Sequence, residues 1–177
     1  MAELSDKHLA ERYLKGEEGA LEVLIKRYLK PIYGFVYKNV GDGEAAEDIT
    51  QEVFVKVWKN LKKFDRQKSF KSWIFTIAKN ASIDFLRRRR TVPLSTVEEF
   101  LSEKSDFAGE IERKSIADGF KKTMKSLSPG YRAVILLKHE AGLSFREISG
   151  ELGEPLNTVK SRYRRALAAL KKLSANF

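Results

Sequence analysis

The chain contains no cysteine, so no disulfide framework and no thiolate zinc site can hold it together, a composition suited to a reducing compartment. Its two histidines, His8 and His139, stand far apart in sequence, and no GxxxxGK loop is present to cradle a nucleotide. Nowhere do about 18 apolar residues follow one another as a membrane span requires. Residues 1–16 are polar and charged, without the apolar run of a signal peptide. Alternation of apolar and polar residues, the mark of a half-buried strand, is almost missing too. These absences predict a protein with no cofactor, no metal, no enzymatic activity and no membrane insertion. What is present points elsewhere: 177 residues with 42% hydrophobic content can bury two small cores, and a net charge of +10 favours polyanionic partners, nucleic acid first.

Apolar residues recur at spacings of three and four, which predicts an all-helical chain. Helices are expected over Asp6–Lys15, over Gly19–Tyr37 with a bend or break at Pro31, over Glu44–Lys62, and over Ser69–Arg90 with Ser69 or a neighbour as N-cap. Residues 1–90 then form one helical domain. The periodicity lapses in TVPLSTVEEFLSEKSDFAGEIERK, which is acidic and contains Pro93, so 91–114 reads as an exposed linker. Roughly 24 residues of tether can stretch to about 80 Å, so the flanking domains need not touch. Helices resume over Ser115–Ser126, Pro129–Ala141, Ser144–Leu152 and Leu156–Leu173, making 115–177 a second domain.

In SFREISGELGEPLNTVKSRYRRAL, Ser144 and Glu147 stand three apart as a capping box, Gly153 sits where a left-handed C-cap belongs, and Pro155 prevents continuation. Asn157 and Thr158 are placed to satisfy amides at the start of the next helix. The stretch therefore reads as helix, turn, helix. On the last helix Val159, Tyr163, Ala166 and Leu170 share a buried face, and the opposite face carries Asn157, Lys160, Ser161, Arg164 and Arg165. Cations near a helix N-terminus oppose the macrodipole, so stability alone does not select them, whereas base edges and phosphates in a major groove do. Arg162 lies beside the core face and suits a phosphate contact or a structural role.

The fourth helix of the first domain carries a stripe of Trp73, Thr76, Asn80, Asp84 and Arg87 that runs into the four arginines Arg87–Arg90. Before it, the loop KKFDRQKSFK sets Phe64 and Phe70 among lysines and Arg66, with Phe70 read as part of the helix's core face. Rings that stack on unpaired bases, with cations that follow phosphates, are the chemistry of single-strand capture. The third helix differs: Ile49, Val53, Phe54, Val57 and Leu61 face the core, and Asp48, Gln51, Glu52, Val55 and Lys59 point away. An acidic patch on a basic protein is unsuited to DNA and predicts a protein partner with basic residues.

Taken together, AEDITQEVFVKVW, SFKSWIFTIAKNASIDFLRRRR and LSPGYRAVILLKHEAGLSFREISGELGEPLNTVKSRYRRAL resemble the extracytoplasmic-function (group 4) sigma factors of bacterial RNA polymerase. The resemblance implies that residues 1–90 are region 2, docking on the β′ clamp helices of the core polymerase through Asp48, Gln51, Glu52 and Val55. It implies −10 element recognition and opening through Phe64, Asp65, Arg66, Gln67, Lys68, Trp73, Asn80, Asp84, Arg87 and Arg88. Residues 115–177 would be region 4, resting on the β flap and reading the −35 element through Asn157, Thr158, Lys160, Ser161, Arg164 and Arg165. It further implies promoter DNA and an anti-sigma factor as partners and a bacterial cytoplasmic location, with the anti-sigma factor able to hold the protein at the membrane. The linker would thread near the polymerase active-site channel. The chain departs from the family pattern at Glu154, where an apolar residue is usual, at Asn157-Thr158 in place of Gly-Thr, and at Asp84 in place of an amide. A stand-alone helix-turn-helix regulator is the alternative, and it leaves the acidic patch and the aromatic loop without a task. A nuclease using Asp42, Glu44, Glu47 and Asp48 is disfavoured because adjacent Glu47 and Asp48 cannot share a helix face.

Overall fold

The computed structural model describes residues 4–65, 67–91 and 123–174, and all regular structure among them is helical. The elements are α1 (Asp6–Leu14), α2 (Glu18–Val40), α3 (Gly43–Asn60), a 3-10 turn (Leu61–Lys63), α4 (Phe70–Thr91), α5 (Pro129–His139), α6 (Phe145–Leu152) and α7 (Leu156–Ser174), with a helical turn at 123–126 before α5. The expected linker beyond Thr91, the start of the expected Ser115–Ser126 helix, and Arg66 lie outside the described residues.

Helices α1 to α4 form the first lobe. Leu24, Ile32, Phe35 and Val36 of α2 meet Ile49, Val53 and Val57 of α3 and Ile74, Phe75 and Ala78 of α4 in one core. Burying each of the larger of these side chains contributes on the order of 1.5–3 kcal/mol. Phe75 packs edge-on against Phe35 at 5.4 Å between ring centroids. At the edge of this core Asp6 accepts from Tyr28 Oη at 2.5 Å and from Arg27, tying α1 to α2. Burial first, then the bond to Asp6, pushes the Tyr28 phenol well above its ordinary pKa, so it remains a donor.

Proline at position 31 does not interrupt α2, which runs unbroken from Glu18 to Val40. Pro31 lies on the exposed face of α2, and burial of Tyr28, Ile32 and Phe35 on the other face outweighs the one backbone donor it removes. The chain turns between α2 and α3, where Gly41 closes α2 in the left-handed conformation at φ 79° and Asp42 caps α3 by accepting from Ala45 N at 3.1 Å.

The second lobe is built from the turn at 123–126 and α5 to α7. The Ser144–Glu147 capping box is present in both directions, at 2.8 and 3.2 Å, and Gly153 ends α6 at φ 63°. Ser144→Ala is expected to lower stability by about 1 kcal/mol, read from urea denaturation. The Ser144 backbone amide, then its hydroxyl, holds the Glu147 carboxyl below its ordinary pKa. That part of the stabilisation is complete above the unfolded carboxyl value and is lost as pH falls through the lowered one.

The two lobes touch. α2 packs on α5, and α4 packs on α5 and α6. The tether expected from the sequence permits separation, but the structure brings the lobes together along a continuous seam.

Candidate nucleic-acid interface

Two helices present the groups expected to meet nucleic acid, and each is oriented by its buried face. In α7, Val159 and Ala166 are fully buried, and Tyr163 packs on Phe145 at 5.1 Å and hydrogen-bonds His139 at 2.7 Å. This leaves Asn157, Thr158, Arg164 and Arg165 exposed, with Lys160 and Ser161 partly so, on one continuous surface at the helix start. Asn157 and Thr158 do not cap the helix as expected. They are its second and third residues, and the first turn is closed instead by the Pro155 carbonyl, which accepts from Thr158 N at 2.9 Å and Val159 N at 3.2 Å. Their side chains are therefore free to meet a ligand. Arg162 is structural: it pairs with Glu154 at 2.7 Å, the acid that replaces the usual apolar residue before Pro155. The Glu154 carbonyl in turn accepts from Ser149 Oγ at 2.6 Å, fixing the turn between α6 and α7.

The second candidate surface is α4 with the loop before it. Ser69 caps α4 by accepting from Ser72 N at 3.3 Å. Asp65 organises the loop, its carboxylate accepting from Gln67 N at 2.9 Å and its carbonyl from Lys68 N at 3.0 Å. Asp65, Gln67 and Lys68 are exposed, as are Asn80, Arg87 and Arg88 of α4, while Trp73 and Asp84 are half-buried. Phe64 requires a correction. Its ring is buried, 4.8 Å from Trp73 and 5.6 Å from Phe70 between centroids, so it anchors the loop and offers no face to a base. Phe64 ends the 3-10 turn, and that turn directs the ring inward. The arginine run divides as well: Arg87 pairs with Asp84 at 3.1 Å within the exposed surface, whereas Arg89 reaches back to Asp42 at 3.4 Å.

On α3, Asp48, Gln51, Glu52 and Val55 are all exposed. Glu52 pairs with Lys56 at 2.6 Å. The sequence reading missed Trp58, which is 55% exposed beside Val55 at 47%. Its signal was available, because positions 48, 51, 55 and 58 continue one helical stripe. A tryptophan and a valine left in solvent amid carboxylates form an apolar centre with a polar rim, the anatomy of a protein–protein contact. Among the described residues, no three acidic or histidine side chains converge as metal donors, and Asp42 serves as the α3 cap.

An outward acidic-apolar stripe, a capped basic loop leading into a polar helix, and a helix-turn-helix with a basic reading face define a two-lobed DNA-binding factor that also engages a protein. The Sigma-70 region 2 model matches residues 24–92 and the Sigma-70, region 4 model matches residues 119–170. The chain is 30% identical to the ECF RNA polymerase sigma-E factor of Escherichia coli (strain K12), with 95% of this chain and 93% of that protein covered. It is 28% identical to the ECF RNA polymerase sigma factor SigW of Bacillus subtilis (strain 168), with 96% and 97% covered. Its fold matches CnrH, solved in complex with the cytosolic domain of CnrY, at a TM-score of 0.73, with 26% identity and 95% and 96% coverage. It also matches the sigma factor RpoE of Bartonella quintana, solved in complex with the anti-sigma factor NepR, at a TM-score of 0.67, with 25% identity and 86% and 94% coverage. The chain belongs to the ECF sigma factors of the sigma-70 family.

Proposed function

We infer that the protein binds bacterial core RNA polymerase through the α3 stripe of Asp48, Gln51, Glu52, Val55 and Trp58 and directs it to promoters through two readers. The β′ clamp helices are the partner of that stripe, and the β flap supports the second lobe. Asn80, Asp84, Arg87, Arg88 and the loop residues Asp65, Arg66, Gln67 and Lys68 hold the −10 element. Phe64 and Trp73 support that loop, and the exposed edge of Trp73 completes the surface. Opening the duplex requires an unstacked base to be held, as in proteins that flip a base into a pocket. Asn157, Thr158, Lys160, Ser161, Arg164 and Arg165 read the −35 element in the major groove. No covalent step is involved, and the protein acts in the cytoplasm.

The observation that carries this reading is the coexistence, on separate helices, of one surface unsuited to DNA and two suited to it. A stand-alone regulator has no use for exposed Val55 and Trp58. The test is run-off transcription with core polymerase on a promoter library. Arg164→Ala is expected to lose about 1–3 kcal/mol of discrimination confined to the −35 positions, and Asn80→Ala to relax preference only at −10 positions. Uniform loss across all templates from both variants rejects the residue assignments.

An anti-sigma factor is the second partner, supported by the complexes in which the related folds were solved. An apolar groove of about 460 Å³ runs along the seam between the lobes, lined by Tyr37, Met124, Ile135, Leu136, Leu167 and Leu170. An apolar segment of that regulator suits this groove, and a regulator anchored in the membrane would hold the protein there.

A further inference from the structure

The turn between α6 and α7 carries an ion pair that neither base reading nor polymerase binding uses. Glu154 is held in that turn by its own backbone: its amide donates to the Ser149 carbonyl at 3.2 Å, its carbonyl accepts from Ser149 Oγ at 2.6 Å, and Gly153 and Pro155 flank it. Its carboxylate reaches Arg162 of α7, whose Nη1 lies 2.9 Å from Oε1 and 2.7 Å from Oε2. Oε2 is shut off from solvent, and the Arg162 guanidinium is its ion-pair partner.

Arg162 is otherwise placed to meet DNA. Thr158, Arg162 and Arg165 stand at i, i+4 and i+7, one line along α7, and Thr158 and Arg165 at its ends are exposed. That line borders the reading face of Ser161 and Arg164, where a helix seated in a major groove meets the sugar-phosphate wall. An arginine at such a border is a phosphate ligand by position and by chemistry. A phosphate that took Arg162 would first have to displace an anion already in place, and would leave the buried Oε2 uncompensated. The guanidinium therefore arrives at the duplex neutralised, and it displaces no counterion from the backbone.

We propose that Glu154 is a positioning residue that withholds Arg162 from the DNA backbone, and so sets the sequence-independent grip of the second lobe one phosphate contact below what the charge of α7 would give. The inference rests on the reading of α7 as the helix that enters the −35 duplex. It leaves base choice untouched, because a phosphate contact is the same for every sequence. Arg164 and Arg165 keep the reading role, and Glu154 sets how tightly the helix holds the backbone while they read.

The salt dependence of DNA binding tests this, because each phosphate neutralised steepens the fall of log K with log salt by about 0.9. Full-length protein is titrated onto the tightest-binding duplex of the promoter library and onto a scrambled duplex of the same composition. Glu154→Gln is expected to bind both duplexes roughly threefold tighter than wild type at 50 mM salt, and to lose about 3.5-fold more affinity than wild type between 50 and 200 mM. Glu154→Leu, which also removes the charge, gives the same slope and guards against a folding defect peculiar to one variant. Arg162→Gln keeps the wild-type slope, and Glu154→Gln combined with Arg162→Gln returns to it. The ratio of selected to scrambled affinity stays at the wild-type value in all of them. The inference is overturned if removing the Glu154 charge leaves the slope unchanged, or makes it shallower, which would mean that Glu154 aims Arg162 at a phosphate. It is also overturned if the slope steepens equally with Arg162→Gln in place, since another cation, such as Lys79, which interacts electrostatically with Glu154, would then make the contact. If no duplex outcompetes its scrambled version and Arg164→Ala changes nothing, α7 is not the −35 reader; the slopes on scrambled duplex still decide what Glu154 does.

Discussion

Arg132→Met is expected to lower the stability of the protein by about 3–5 kcal/mol, the largest effect of any single side chain considered. The wild-type guanidinium is buried and satisfies four backbone carbonyls at once. Two of them, Met124 and Lys125, belong to the helical turn at 123–126 and a third, Leu127, directly follows it, so the guanidinium supplies donors where that turn ends. Methionine fills similar volume but donates nothing, so each buried carbonyl is left without that donor. For a protein of this size such a loss moves the melting temperature by roughly 10 °C. Arg132→Lys should fall between the two, because an ammonium keeps the charge but cannot match the planar five-donor fork. Urea denaturation followed by circular dichroism measures the difference, and a loss below about 1 kcal/mol for Arg132→Met would show that solvent readily replaces these bonds.

Trp58→Ala should weaken binding to core RNA polymerase by about 30-fold, corresponding to about 2 kcal/mol. The ring is more than half exposed in the free protein, so its truncation changes little of the core. Tryptophan at the centre of an interface contributes through complete desolvation of a large apolar surface, and Val55 beside it extends that surface. Equilibrium binding to immobilised core polymerase, with helicity and melting temperature unchanged, is the check. Binding of the variant to −35 duplex should match wild type, since α7 lies in the other lobe. A variant that binds polymerase normally would remove Trp58 from the interface and leave Asp48, Gln51, Glu52 and Val55 as the stripe.

The comparison of Trp58 with Phe64 shows what patterning can and cannot resolve. Both are aromatic residues near the C-terminal end of α3, and the sequence pattern gave Phe64 to the ligand and left Trp58 without a role. The structure reverses their exposure. Phe64 follows a 3-10 turn, and that tighter winding rotates its ring into contact with Phe70 and Trp73. Trp58 remains in regular α3, where the stripe through Val55 carries it outward. A one-residue change in helical phase decides between core and surface, and periodicity cannot locate that change in advance.

Local chemistry was far more legible. Ser144 and Glu147 could be read as a capping box because both partners lie within four residues and bond the backbone of one turn. Gly153 and Gly41 could be read as helix ends because only glycine adopts positive φ without strain. The exposed basic face of α7 followed from the spacing of Val159, Tyr163, Ala166 and Leu170, since burial of one side of a helix dictates the direction of the other. Arg132 was visible as a charge inside YRAVILL, but its four acceptors come from two lobes and from residues up to 93 positions away.

Sequence alone therefore determined the helices of the described residues, the Ser69 cap and the Ser144–Glu147 capping box, the outward acidic stripe and the exposed basic face of α7, because each depends on groups within one or two turns. Only the tertiary structure decided that Pro31 leaves α2 whole, that Phe64 turns inward, that Glu154 holds Arg162, and that the lobes close on one another. These outcomes depend on long-range contacts whose partners are set by how the helices pack, and helical spacing carries no information about which distant carbonyl or carboxylate a side chain will meet.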